Sequence, residues 1–164
     1  MAKKKIEKTN AIRLIEQKKI PYIEHTYEWS EAHVSANDVS LAVNTTSPIY
    51  KTLVATGNKT GPIVAVIPGD EEVDLKKLAK ASGNKKVEML HLKDLEATTG
   101  YIRGGCSLVG MKKLFPTFIA IQAQELAAFT ISAGKRGLQM EVEPSAIASL
   151  IHATFVELTV TSET

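Results

Sequence analysis

Apolar and polar positions alternate, or recur every three to four residues, along most of the chain, which predicts short strands interrupted by helices. The predicted helices are one capped by Thr9 or Asn10 and stopped by Pro21, and others near 35–43, 74–82, 92–98 and 144–151. The predicted strands are 22–27, 49–55, 62–67, 85–89, 117–121, 129–132, 138–142 and 154–160. Because these elements follow no strict βαβ repeat, the order favours a mixed α/β or α+β sheet domain over a doubly wound fold.

The size and composition are those of one globular domain. The chain has 164 residues, of which 44% are apolar and 23% charged, and this length is natural for one core. Residues 1–8 hold four lysines and predict a disordered basic tail, with contact to nucleic acid as the alternative. Residues 9–164 are then the single domain.

Several classes of function are excluded by what the chain lacks. One cysteine, Cys106, allows no internal disulfide and no cysteine-rich zinc pattern. The four histidines are scattered without metal-ligand spacing, so no metal is expected. The lysine-rich start has no apolar run behind it, and no stretch is long enough to cross a membrane. We therefore expect a cytoplasmic protein, and its net charge of +2 confines any nucleic-acid contact to local patches.

Lys51 is the most informative single residue. Strand alternation places it on the same face as Ile49 and Leu53. A lysine among apolar neighbours either extends from an edge into water or points its ammonium into a concave site. In such a site it would hold a carboxylate, a phosphate or a carbonyl oxygen.

A glycine-rich stretch over 100–110 is the second candidate feature. Gly104 and Gly105 allow close backbone approach and can aim N–H groups at developing negative charge, although a plain turn is the alternative. The stretch and a later turn hold further candidates for substrate or RNA contact, which are Ser107, Gly110, Lys112, Lys113, Ser132, Lys135 and Arg136.

The ordered set of motifs resembles one family. His25-Thr26-Tyr27, Tyr50-Lys51-Thr52-Leu53, Lys85-Lys86-Val87-Glu88-Met89, Thr99-Gly100-Tyr101, Gly104-Gly105 and Gly134-Lys135-Arg136-Gly137-Leu138 follow one another in that order. They resemble the YbaK/EbsC family of free-standing Cys-tRNA(Pro) deacylases, which are related to the editing domain of bacterial prolyl-tRNA synthetases. The resemblance runs from about Ala11 to Val160 and implies a curved mixed β-sheet surrounded by helices.

The resemblance also assigns roles to residues. It implies that Lys51, Gly104 and Gly105 are catalytic and that Tyr27, Ser107, Gly110 and Ser132 bind the substrate. Lys112, Lys113, Lys135 and Arg136 would contact the tRNA. Two positions depart from the family pattern, because Leu108 replaces a proline and Ala133 replaces a glycine. The preferred aminoacyl ester is left open by these departures.

The implied activity is the clearance of mischarged Cys-tRNA(Pro), with Cys-tRNA(Cys) as a further substrate. A synthetase pocket separates similar small side chains poorly, so a second sieve is needed. The thiol of the substrate would attack its own ester while the protein orients the ester and stabilises the oxyanion, which requires no cofactor. The alternatives are water-dependent editing of another ester such as Ala-tRNA(Pro), and a non-catalytic module that binds tRNA or a synthetase. The expected partners are the acceptor end of aminoacyl-tRNA and prolyl-tRNA synthetase, and the oligomeric state is open.

Overall fold

The computed structural model of the protein describes residues 8–27 and 47–160. Within these ranges the α-helices are α1 (Asn10–Gln17), α2 (Leu75–Ser82), α3 (Leu95–Thr99) and α4 (Pro144–Ile151), with 3-10 helices at Leu92–Asp94 and Ile121–Glu125. The strands are β1 (Tyr22–Thr26), β2 (Tyr50–Gly57), β3 (Gly61–Pro68), β4 (Val87–Met89), β5 (Thr117–Ala120), β6 (Phe129–Lys135), β7 (Leu138–Val142) and β8 (Thr154–Val156).

The described strands form two sheets. The smaller sheet is antiparallel, with strand order β1-β7-β6. The larger sheet has the order β4-β2-β3-β5-β8, in which β4, β2 and β3 are antiparallel and β3, β5 and β8 are parallel. The expected mixed α/β fold is confirmed, but its strands lie in two sheets rather than one.

A short parallel pairing joins the two sheets. Ile49, just before β2, bridges Thr130 of β6, and the Thr130 N–H donates to the Pro48 carbonyl at 2.8 Å. Proline has no N–H to donate, so the ladder does not extend further towards the N-terminus of β2. On the core side the rings of Tyr50 and Phe129 meet edge to face, with centroids 5.2 Å apart.

Several helix ends lie where the sequence pattern predicts them. The Thr9 hydroxyl accepts from the Ile12 N–H at 3.2 Å, and the Asp74 carboxylate accepts from the Lys76 and Lys77 N–H groups at 2.9 and 3.2 Å. Gly83 ends α2 with a φ of 77°, and Pro144 occupies the first turn of α4. Thr9 also donates to the Ala133 carbonyl, which fixes α1 against β6.

Some predicted elements differ in extent. The helix expected over 92–98 is a 3-10 helix followed by α3, and the strand expected over 154–160 is β8 and a separate bridge between Thr159 and Val73. The helix predicted over 35–43 and most of the predicted tail lie outside the described residues. Lys8, the last residue of that tail, forms an ion pair with Glu16 at 2.6 Å.

Candidate functional site

Four side chains form a line across the two sheets, and we call them the polar row: Lys51, Ser132, Gln139 and His25. Ser132 of β6 is paired with Gln139 of β7, which is paired with His25 of β1. Lys51 and Ser132 lie two residues beyond the Ile49–Thr130 bridge on parallel strands, and so opposite each other. Residues directly opposite share a face of the sheet. At about 4.8 Å per strand, the four strands of the row span about 14 Å.

The row belongs to a polar face whose reverse side is core. Phe129, Ile131 and Met140 are fully buried on that core side. On the polar face, Thr130 is fully buried, Gln139 is 6% exposed, and Ser132 is half-buried. Burial of a polar side chain is costly unless it is hydrogen-bonded. Thr130 shares a hydrogen bond with Ser47 at 2.7 Å, whereas the Gln139 Oε1 has no partner among the described residues.

Lys51 occupies one end of the row. Its side chain is half-buried, and it makes no hydrogen bond or ion pair with any residue in 8–27 or 47–160. Its strand neighbour across β3 is Ile67, which is fully buried. An ammonium in such surroundings is available to an anionic or carbonyl oxygen of a ligand.

Two buried side-chain oxygens have no hydrogen-bond partner within the described residues. The Gln139 Oε1 accepts no hydrogen bond within the described chain, and the Thr52 hydroxyl neither accepts nor donates one. A buried polar atom left unpaired costs about 1–3 kcal/mol. Gln139 lies in the polar row itself, so one of these two unpartnered oxygens belongs to the row.

His25, at the other end of the row, pairs with an acid. Its Nε2 lies 2.9 Å from Oε1 of Glu141, and both side chains are less than one-fifth exposed. Glu141 is two residues beyond Gln139 on β7, where it is paired with Thr130 of β6. The pair is an imidazole held in a fixed orientation on the polar face.

The two central glycines of the loop differ in their backbone roles. Gly104 has a φ of 86°, in the region that favours glycine, and its N–H has no hydrogen-bond partner in the described part of the chain. The Gly105 N–H donates to the Ile102 carbonyl at 3.0 Å. We expected both to serve as oxyanion donors, but the turn already uses the Gly105 N–H, which leaves Gly104 as the available donor.

Gly105 instead allows the loop to touch the turn between β6 and β7. A Cβ on Gly105 would lie 2.9 Å from the Arg136 nitrogen and 3.1 Å from the Lys135 Cα. The Arg136 Nε donates to the Arg103 carbonyl at 2.8 Å, which binds the same two segments together. This contact brings the glycine-rich loop to the end of β6 that carries Ser132.

Tyr27 lies at the same turn. Its N–H donates to the Gly137 carbonyl at 2.9 Å, and a Cβ on Gly137 would lie 2.9 Å from the Tyr27 carbonyl oxygen. Tyr27 is half-buried and follows His25 by two residues. The structure thus places Tyr27, Ser132 and Gly105 around one turn, while their roles in binding and catalysis stay predictions.

Ser107 and Gly110 have structural surroundings. Ser107 is fully buried, and its Oγ accepts from the Val109 N–H at 3.2 Å. A Cβ on Gly110 would lie 2.8 Å from the Tyr101 hydroxyl, which donates to the Val109 carbonyl at 2.7 Å. A direct contact of either residue with the substrate stays a prediction. Burial raises the pKa of Tyr101 to about 12, so it remains a neutral donor.

The loop residues Leu108 and Cys106 are inward-facing. Leu108 is 4% exposed within the hydrophobic core, so the residue that replaces the family's proline is used for packing. Burial raises the pKa of the Cys106 thiol to about 11, with a smaller opposing effect from a hydrogen bond with Thr99. A neutral, partly buried thiol is a poor nucleophile.

The remaining basic candidates are on the surface. Lys112, Lys113 and Lys135 are exposed, and Arg136 is half-buried. Lys112 donates to the Ala97 carbonyl at 3.2 Å. Contact of these four side chains with tRNA stays a prediction.

Sequence reasoning missed Gln139, the His25–Glu141 pair and Arg103. The signal for the first two was present, because Leu138-Gln139-Met140-Glu141-Val142 alternates strictly between apolar and polar residues. Such alternation indicates a strand with one polar face and one core face, and the polar face is a candidate site. The Arg103 contact is made by its backbone carbonyl, which no side-chain pattern can signal.

Among the described residues, no helix is long and apolar enough to cross a membrane. The same residues contain no group of three or more histidine, cysteine, aspartate or glutamate side chains arranged to hold a metal ion.

Comparison with known proteins identifies the family to which the sequence is similar. Residues 29–150 match the profile of the aminoacyl-tRNA editing domain. The chain is 63% identical over 161 residues to a protein of Enterococcus faecalis named EbsC, a candidate Cys-tRNA(Pro)/Cys-tRNA(Cys) deacylase, with 97% of this chain and 98% of that one covered.

Two solved structures share the fold at low sequence identity. A candidate trans-editing enzyme for prolyl-tRNA synthetase superposes with a TM-score of 0.76 at 18% identity, over 94% of this chain and 99% of that one. A hypothetical protein superposes with a TM-score of 0.80 at 18% identity, over 93% and 100%. The resemblance inferred from the motifs is confirmed, and the chain belongs to the aminoacyl-tRNA editing domain family.

Proposed function

We propose that the protein is a trans-acting deacylase that removes cysteine from Cys-tRNA(Pro) and from Cys-tRNA(Cys). The observation that carries the proposal is the half-buried Lys51 ammonium at the head of the polar row, which pairs with none of the described residues. The 63% identity to a candidate deacylase of these two substrates supports the choice of ester. Such an enzyme acts in the cytoplasm on tRNA that a synthetase has released, and prolyl-tRNA synthetase is the partner that would supply it.

The substrate would bind along the polar row. Lys51 holds an oxygen of the terminal ribose-phosphate or of the aminoacyl group. The Gln139 Oε1 receives a donor of the substrate, and Tyr27 limits the pocket beside Ser132. This use of Gln139 gives its unpaired buried oxygen a partner in the complex.

The chemical step needs no protein nucleophile. The cysteinyl sulfur of the substrate loses its proton and attacks the ester carbonyl, forming a carbon–sulfur bond. The carbon–oxygen bond to the ribose then breaks, the ribose oxygen takes up a proton, and a cyclic thiolactone leaves. The Gly104 N–H stabilises the negative charge on the carbonyl oxygen between these events. The high pKa of Cys106 is consistent with its taking no part.

A second candidate is water-dependent cleavage of another ester such as that of Ala-tRNA(Pro). The observation that favours it is the His25–Glu141 pair, because an imidazole oriented by a carboxylate is a common general base. In that case water would attack the carbonyl and the substrate side chain would not react. A non-catalytic role in binding tRNA or a synthetase is favoured by no feature of the polar row.

The direct test of the proposed function is deacylation by the purified protein. We expect rapid release of cysteine from labelled Cys-tRNA(Pro), no loss of proline from Pro-tRNA(Pro), and at least about a 100-fold slower reaction with Lys51→Ala. Failure to deacylate any mischarged tRNA, with tRNA binding intact, would instead establish the non-catalytic alternative.

A further inference from the structure

A group of exposed lysines lies at the end of the β2–β3 hairpin opposite to Lys51. We call it the lysine cluster: Lys59, Lys80, Lys85 and Lys86. Lys59 is in the turn between β2 and β3, Lys80 is in the last turn of α2, and Lys85 and Lys86 precede β4. None of these residues belongs to the polar row or to the loop that faces it.

Two asparagines hold the turns of the lysine cluster together. The Asn58 side-chain oxygen accepts from the N–H groups of Lys85 and Lys86 at 3.0 and 2.9 Å. The Asn84 side-chain oxygen accepts from the N–H groups of Lys59 and Thr60 at 2.8 and 3.1 Å. The backbone at three of the four lysines is therefore fixed by reciprocal side-chain contacts.

These lysines have little compensating charge. Lys86 forms an ion pair with Glu88 at 3.2 Å, and both side chains are well exposed. Lys59, Lys80 and Lys85 make no ion pair within the described residues. Four acidic residues follow β3 at the opposite end of the hairpin: Asp70, Glu71, Glu72 and Asp74. The hairpin is thus positively charged at the end far from Lys51.

The turn at Asn84, which is followed by Lys85, is on the same side of the larger sheet as Lys51. Gly57 is six residues after Lys51 on β2, so it faces the same way. A Cβ on Gly57 would overlap the Asn84 side chain, which places the Asn84 turn on that side. Six residues of strand cover about 20 Å. This distance spans several phosphates of a nucleic-acid strand, which are about 3.4 Å apart along the axis of a DNA duplex.

We propose that the lysine cluster contacts phosphates of the RNA helix whose aminoacylated 3′ end lies at Lys51. This inference rests on the proposed function. Ammonium groups on a rigid, otherwise uncompensated surface suit a regular array of phosphates. Lysine is depleted from protein–protein interfaces, which makes a protein partner the weaker match. The contact carries no sequence information, so it adds affinity for tRNA of any identity.

The test is a charge-neutralised variant, Lys59→Gln/Lys80→Gln/Lys85→Gln, in which Lys86 is kept because it is paired with Glu88. The matched control is Arg13→Gln/Lys18→Gln/Lys19→Gln, which removes three exposed cations from α1 and its end. For each protein we would measure binding of uncharged tRNA at several salt concentrations. The same proteins would then be assayed for kcat and KM with Cys-tRNA(Pro) and for cleavage of cysteinyl-adenosine, which lacks the RNA helix.

We expect the lysine-cluster variant to bind tRNA at least about 10-fold more weakly and its salt slope to fall by about 2 to 3, since each phosphate contact contributes about 0.7–0.9. KM for Cys-tRNA(Pro) should rise with kcat unchanged, and cleavage of cysteinyl-adenosine should not change. Wild-type affinity and slope in this variant, or equal losses in the control, would overturn the proposal. If the wild type deacylates nothing, the proposed function fails while the binding measurements still decide whether this surface holds RNA.

Discussion

Ile49 and Thr130 form a parallel bridge between the two sheets, and this one pairing places Lys51 opposite Ser132. Lys51 and Ser132 are far apart in sequence, and they belong to strands of different sheets. Gln139 and His25 then continue the line because β7 and β1 are in register with β6. The polar row is therefore a product of tertiary structure, and its chemistry is tested most simply by changing its members singly.

Removal of the Lys51 charge should abolish activity and preserve the fold. Lys51→Met keeps most of the aliphatic stem but leaves no ammonium to hold the substrate oxygen, so we expect at least about a 100-fold loss in kcat/KM for Cys-tRNA(Pro). Thermal unfolding should stay close to that of the wild type because Lys51 has no partner within the described chain. Lys18→Met, at an exposed position, is the control. Full turnover by Lys51→Met would remove Lys51 from the site.

Gln139 should be important for activity and unfavourable for stability. In Gln139→Leu the carboxamide that carries the unpaired buried Oε1 is lost and two methyl groups remain on Cγ, so the free energy of unfolding should be unchanged or higher by up to about 1–3 kcal/mol. Deacylation should fall by at least about 10-fold, since the substrate loses an acceptor. Denaturant unfolding and steady-state kinetics measure the two effects. A less stable but fully active variant would show that Gln139 is structural only.

A methyl group on Gly105 should damage the site through the turn that carries Lys135 and Arg136. The new Cβ would lie 2.9 Å from the Arg136 nitrogen, so Gly105→Ala forces the two segments apart at a cost of about 1–3 kcal/mol. Gly83→Ala is the control, because Gly83 follows the last residue of α2 and a Cβ added there would lie in open space. Its φ of 77° makes the control cost about 1–2 kcal/mol.

Both glycine variants should therefore be destabilised. Only Gly105→Ala should also have a lower deacylation activity when the protein is fully folded. The comparison is made at a temperature at which both proteins are folded. Equal activity of the two variants there would separate the glycine-rich loop from catalysis.

Cys106 should be dispensable for the reaction. With a pKa of about 11, only about one thiol in 10⁴ is ionised at pH 7. Cys106→Ala should keep most of the wild-type kcat/KM for Cys-tRNA(Pro). A loss on the scale of a catalytic group, about 10³-fold, would show that this thiol takes part.

The same thiol should make stability depend on pH in alkaline solution. Its folded-state pKa of about 11 is above its ordinary value near 9, so burial favours the protonated form. The resulting stabilisation is complete below about pH 9 and is lost as the pH rises through 11. Denaturant unfolding between these values should show a steeper decline for the wild type than for Cys106→Ala. Parallel curves would mean that Cys106 is not buried as described.

Local structure was largely predictable from the sequence because it depends on short-range chemistry. Asp74, Gly83 and Pro144 mark helix ends by capping and backbone preference, and strict alternation marks β7. The division into two sheets was not predictable, because it depends on which strand pairs with which. Pro48 limits the pairing between β2 and β6 only because it lies beside Thr130, a residue far along the chain whose N–H donates to the Pro48 carbonyl.

The site was predictable in part for the same reason. Lys51 stands out because a cation among apolar strand residues is unusual, and the resemblance added Tyr27 and the two glycines. The unequal roles of Gly104 and Gly105 depend on one hydrogen bond to Ile102. Likewise Gln139 is an ordinary polar residue until the fold buries its oxygen without a partner.

The central claim is that the thiol of the substrate performs the attack, and the most direct measurement compares three esters on the same tRNA(Pro). A thiol is several per cent ionised near neutral pH and strongly nucleophilic, a serine hydroxyl is neither, and alanine has no attacking atom. The account predicts that cysteine is released far faster than serine or alanine, with a thiolactone as the first product. Equal rates for the cysteinyl and alanyl esters, with free amino acid as the first product, would contradict it and assign the attack to water.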